Sequence, residues 1–169
     1  ISSFFVQSML TTILISLALN LLFAFVGGLL AVRYVPRFGA WRMSLAGYAC
    51  QLVALLGLGL IGRPEGATEG MLAVAMLALF LFGQGFGPGA HTMTFASLSY
   101  PTSLRGVGVG LNQTLMRSSS TLSLFLFPLL VASLDTAVFG VIALAPIIGL
   151  ASLLAIRWEP SGYDVDAED

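Results

Sequence analysis

Residues Gly83 to Arg117 read GQGFGPGAHTMTFASLSYPTSLRGVGVGLNQTLMR. The stretch begins inside a long apolar run and carries the one histidine of the sequence, His91. It leaves the apolar phase at Tyr100-Pro101 and passes Arg105. It then re-enters an apolar run containing Gly106, Gly108 and Gly110, and meets a second arginine, Arg117. Two long hydrophobic segments with polar groups inside them, joined by a short basic turn, predict a helical hairpin in a membrane.

The rest of the chain agrees. Hydrophobic residues are 57% of 169 and charged residues 9%, with a mean hydropathy of +0.97. A water-soluble domain carries about 25% charged residues, so this composition predicts an all-α polytopic bundle of transmembrane helices. A barrel would show alternating segments of roughly 10 residues instead. A net charge of −1 without a basic stripe argues against a nucleic-acid partner. The single cysteine, Cys50, excludes a disulfide framework and reads as a buried thiol.

About 20 apolar residues cross the hydrocarbon core. Spans are expected near 5–32, 43–61, 71–99, 106–133 and 137–156. Pro36 and Gly39 break the chain between the first two, and Leu134-Asp135-Thr136 is a tight turn before the last. Pro128 and Pro146 fall within the last two spans, as kinks or as hinges. Residues 158–169 form an acidic tail, and the stretch from Arg157 onward is expected to be disordered because it has little to bury. The chain begins Ile-Ser-Ser without a recognisable signal peptide, which suggests a piece of a longer protein.

Basic residues are retained on the cytoplasmic side. Arg33, Arg37, Arg42, Arg105 and Arg157 fall on one side of this topology and Arg63 on the other. The C-terminus is therefore expected in the cytoplasm, with Trp41 and Trp158 at headgroup level.

No catalytic constellation, metal cluster or cofactor motif is visible, and no cofactor is expected. The glycines between Gly83 and Gly89 lie in a membrane run, where close helix packing accounts for them better than a phosphate loop. Ionisable groups within spans mark pathways, relays or paired structural charges. His91 could bind solute, take up a proton, or bond to a neighbouring helix. Gln84 lies seven residues earlier, on the same face of a regular helix. Arg117 could hold an anionic solute, clamp a carboxylate, or snorkel to the surface, and Gln113 precedes it by one turn. Asn20, in the first span, is either helix glue or a ligand contact.

The loop GGLLAVRYVPRFGAWRMSLAG resembles the one between the eighth and ninth spans of major facilitator superfamily transporters, Gly-x3–7-Asp-Arg-x-Gly-Arg-Arg. Gly28, Arg37, Phe38, Gly39 and Arg42 fit it; Pro36 stands where the family often has Asp, and Ala40-Trp41 replace an arginine pair. The opening stretch resembles the tenth-to-eleventh hairpin of the sugar, phosphate and metabolite proton symporters. Gly87-Pro88, Tyr100-Pro101, Arg105 and Gly106-x-Gly108 carry that likeness. Leu98 stands where sugar and phosphate members commonly have Glu, which favours the organic-acid branch.

The resemblance implies about five spans of a twelve-span transporter. It further implies a missing N-terminal half, a small-molecule solute, a coupled proton, and a cell-membrane location. Asn20, Gln84, His91, Gln113 and Arg117 would line the solute or proton pathway. Arg37, Gly39, Arg42 and Arg105 would form a cytoplasmic gate. The alternatives are a non-transporting membrane subunit and a membrane-embedded transferase.

Overall fold

A computed structural model describes residues 10, 14–62 and 66–160. The expected start of the first span at residue 5, the loop residues 63–65 and the acidic tail from Ser161 onward lie outside the described residues. The regular elements of the described chain are helices: α1 (Leu14–Phe38), α2 (Ala40–Ile61), α3 (Ala67–Phe86), α4 (Pro88–Leu98), α5 (Arg105–Leu134) and α6 (Val138–Ile156). A 3-10 turn, Asp135–Ala137, joins the last two.

Among the described residues, four continuous stretches are long and apolar enough to cross a membrane: Leu14–Phe38, Ala40–Ile61, Thr68–Leu98 and Arg105–Ile156. The last has 52 residues, more than twice the roughly 20 that a crossing needs. It breaks at Asp135, whose φ of 49° no continuing helix adopts. α5 and α6 are therefore separate rods, each of crossing length.

The packing is that of a membrane bundle. Side chains shut inside are mostly small, among them Ala31, Ala40, Ala54, Ala78 and Ala143. Large apolar side chains such as Leu60, Met71, Leu124 and Phe125 point outward. In water this would waste the hydrophobic driving force; in lipid that force is absent, and small residues let backbones approach.

The glycines of the opening stretch do this work. α3 lies between α1 and α2, and α2 lies between α3 and α6. Towards α2, an added Cβ on Gly83 would sit 2.8 Å from the Gly47 carbonyl oxygen, and one on Gly87 would sit 2.6 Å from the Gly47 Cα. Towards α1, a Cβ on Gly27 would come within 2.7 Å of the Phe82 carbonyl oxygen, and Gly85 meets Ala24 more closely still. Glycines two residues apart thus open opposite sides of one helix. The α1 backbone meets α3 within a π-helical turn, Asn20–Ala24, set into α1. On the far side the Tyr48 ring covers Gly149, which brings α6 against α2.

Three boundaries differ from the expected ones. α1 does not stop near Val32 but continues through Pro36 to Phe38. Proline removes only one helical hydrogen bond, so the last turn survives; Gly39, at φ 81°, ends the helix. α2 correspondingly starts at Ala40, three residues before Met43. The third span is split at Gly87 (φ −110°, ψ −110°), and Pro88 opens α4 where no N–H is required. Pro128 and Pro146 lie inside helices assigned without interruption.

The expected disorder after Arg157 is also corrected at its start. Glu159 accepts the backbone N–H groups of Ala40 and Trp41, both at 2.9 Å, and Pro160 is buried. The carboxylate caps the N-terminus of α2, where orphan N–H donors and the helix dipole favour negative charge. The neighbouring tryptophans anchor the same end. Trp41 Nε1 donates to the Leu153 carbonyl at 2.8 Å, and the Trp158 and Phe95 rings lie 6.1 Å apart.

Candidate solute pathway

α5 carries the longest polar stretch within the apolar rods, from Asn112 to Thr121. It meets the bundle chiefly through α4, and the Tyr100 ring closes on Gly108. Arg117 lies twelve residues into α5, a rise of about 18 Å, so it reaches roughly the middle of a 30 Å core. Its side chain is exposed and has no hydrogen-bond or ion-pair partner among the described residues. Gln113, one turn earlier, points back to α4 and donates Nε2 to Met93 Sδ at 2.9 Å. Thr114, Ser119, Ser120 and Thr121 return their hydroxyls to carbonyls four residues earlier. Of this polar run, Arg117 therefore keeps the most unspent hydrogen-bonding capacity.

Gln84 lies next to the α3–α4 break. Its Oε1 accepts a 2.5 Å hydrogen bond from Gln51 Nε2 of α2. Both amides line a hollow of about 380 Å³, along with Tyr48, Thr92, Met116 and Pro146. The hollow offers neutral amide and hydroxyl groups, which suit hydrogen bonding to a polar solute. Gln51, Tyr48 and Thr92 were not among the residues expected from sequence. A polar side chain in the middle of an apolar run was the available signal for Gln51.

His91 is buried in α4, at 4% exposure. Its ring bonds to the Phe86 backbone, while Nε2 meets no partner among the described residues. Glu159 acts on it electrostatically. Asn20 turns inward on its own helix and donates Nδ2 to the Ser16 carbonyl at 3.1 Å. No hydrogen bond joins any two of Asn20, Gln84, His91, Gln113 and Arg117 among the described residues. The helical spacing that put Gln84 and His91 on one face is interrupted at Gly87, and the two side chains have different partners.

Arg37, Gly39 and Arg42 meet at the α1–α2 corner around a second hollow, which Arg157 and Glu159 complete. Arg105 opens α5 and is engaged in a polar interaction at that helix start.

A bundle with alanines and glycines inside, leucines outside and polar groups within its rods is a multi-pass membrane protein. Residues 2–156 match the family model described as "Sugar (and other) transporter". The chain belongs to that family, within the major facilitator superfamily, and is a transporter and not an enzyme. No curated protein and no solved structure matches the chain.

Proposed function

We infer that the chain is the second half of a proton-coupled secondary transporter of the cell membrane. It carries a small organic anion by alternating access, with its C-terminus in the cytoplasm. One observation favours this reading most: a guanidinium without a partner among the described residues, roughly midway along a crossing helix. An unpaired charge is expensive in hydrocarbon, and an anionic solute in a water-filled cavity would offset that cost. Rocking of two halves about a midplane site is the general mechanism of such folds.

The remaining residues take supporting roles. Gln113 and Gln84 hydrogen-bond polar groups of the solute, and Asn20 joins them by releasing its Ser16 carbonyl bond when solute arrives. His91 carries the proton. Arg37, Gly39, Arg42 and Arg105 close the cytoplasmic side. The excess of arginines on that side supports the orientation.

Uptake by cells expressing the full-length gene tests the reading. Small carboxylates and neutral hexoses are supplied with and without an inward proton gradient. Gradient-driven carboxylate uptake, lost in Arg117→Ala and partly kept in Arg117→Lys, is the expected result. Hexose uptake that is unchanged in Arg117→Ala overturns the assignment to an anion.

A further inference from the structure

The hollow at the α1–α2 corner has a volume of about 420 Å³ and is lined by Arg37, Arg42, Arg157, Glu159, Trp41 and Gly39, with Phe38 beside them. Three guanidiniums from two distant parts of the chain share it with one carboxylate. The carboxylate is already committed, because its two oxygens accept the N–H groups of Ala40 and Trp41. None of the three guanidiniums has a hydrogen bond or ion pair among the described residues. Arg157 is held at a left-handed φ of 47° just beyond α6, and its N–H caps the Leu153 carbonyl. A non-glycine residue in this region is strained and persists only where its surroundings fix it. The wall is fixed as well, since the Trp41 indole is tied to Leu153.

We propose that this hollow binds a phosphoryl anion, and that its natural source is the headgroup of an anionic phospholipid. Arginine presents a planar fork of donors that matches phosphate oxygens in pairs. Three forks around one cavity exceed the single carboxylate in charge, and their N–H donors outnumber what its two oxygens can accept. Trp41 lines the hollow, and indoles prefer the headgroup level. A basic pocket between helices on that side has the character of a lipid-headgroup site. A free phosphate or a soluble phosphate ester shares the chemistry but lacks the acyl chains that would lie against exposed Phe38. The inference does not depend on which solute is carried.

The test uses the full-length protein in nanodiscs. Phosphatidylglycerol or phosphatidylcholine brominated on the acyl chains is mixed into unlabelled phosphatidylcholine. Bromine quenches indole fluorescence on contact, and the signal from Trp41 is obtained by difference against Trp41→Phe. With roughly fivefold in affinity per basic residue near an anionic headgroup, the phosphatidylglycerol curve should saturate at a clearly lower lipid fraction than the phosphatidylcholine curve. The triple variant Arg37→Gln/Arg42→Gln/Arg157→Gln should merge the two curves. Arg37→Lys/Arg42→Lys/Arg157→Lys should keep them apart, which separates lost charge from lost folding. Inorganic phosphate is added in a parallel arm against chloride of equal ionic strength. If phosphate alone changes the Trp41 signal and lipid charge does not, the anion comes from solution. Coincident lipid curves with no phosphate effect, or a preference unchanged in the glutamine variant, overturn the proposal.

Discussion

Gln51 of α2 donates its side-chain amide to the Gln84 carbonyl of α3 across 2.5 Å, and Gln51 is 4% exposed. One hydrogen bond thus joins two amides between apolar helices. Gln84→Ala should strand the Gln51 donor and destabilise the bundle by about 1–2 kcal/mol. The double variant Gln51→Leu/Gln84→Leu should recover part of that loss. Thermal unfolding of the two single variants and the double variant in detergent measures the coupling.

Gly47 faces Gly87 so closely that a Cβ on Gly47 would lie 2.5 Å from the Gly87 Cα and 2.6 Å from the Gly83 carbonyl oxygen. These are backbone atoms and cannot turn aside. Gly47→Ala should therefore force α2 and α3 apart and cost about 1–3 kcal/mol. Gly140→Ala is the control, because nothing lies within 4 Å of its added methyl. Alanine there should be neutral or stabilising by up to about 1 kcal/mol. The midpoints of detergent-solubilised protein compare the two directly.

Glu159 holds the first turn of α2 through two N–H groups. Glu159→Ala removes an N-terminal cap that is worth about 0.5–2 kcal/mol. Glu159→Gln should lie between it and the parent, since one amide oxygen can still accept. Amide exchange at Ala40 and Trp41, read against exchange at mid-helix Leu55, should rise in the same order. Equal protection in all three proteins would remove the capping role.

His91 is buried in α4, and Glu159 acts on it electrostatically. If it carries the proton, His91→Gln should abolish the acceleration of uptake by an inward proton gradient. Exchange of labelled for unlabelled solute should continue. Loss of both together, with unchanged folding, would mark a packing role instead.

The membrane rods were readable because a chain folded in water has little use for uncharged apolar runs of crossing length. The glycine cluster was readable as packing, though not its division between α1 and α2; Gly83 and Gly87 on one side and Gly85 on the other require the neighbours in place. Helical spacing misled at Gln84 and His91, because it assumes an unbroken helix and Gly87 breaks it. Pro36 misled in the opposite sense, since a proline in a last turn costs less than one in mid-helix. Glu159 looked like one acid among several in a polar tail. Its partners lie 119 and 118 residues away in sequence, and no local pattern announces such a contact. The π-helical turn at Asn20 has the same character, because an apolar run does not mark where it will widen to admit a neighbour.

That cap also sets a schedule. Ala40 emerges from the ribosome 119 residues before the side chain that completes its helix start. At roughly 5–20 residues per second, α2 waits on the order of 6–24 s with two amide donors open to water or to the translocation machinery. This end of the bundle is thus sealed late in synthesis. A chain released before Glu159 would carry all its rods and still present an unfinished helix to quality control.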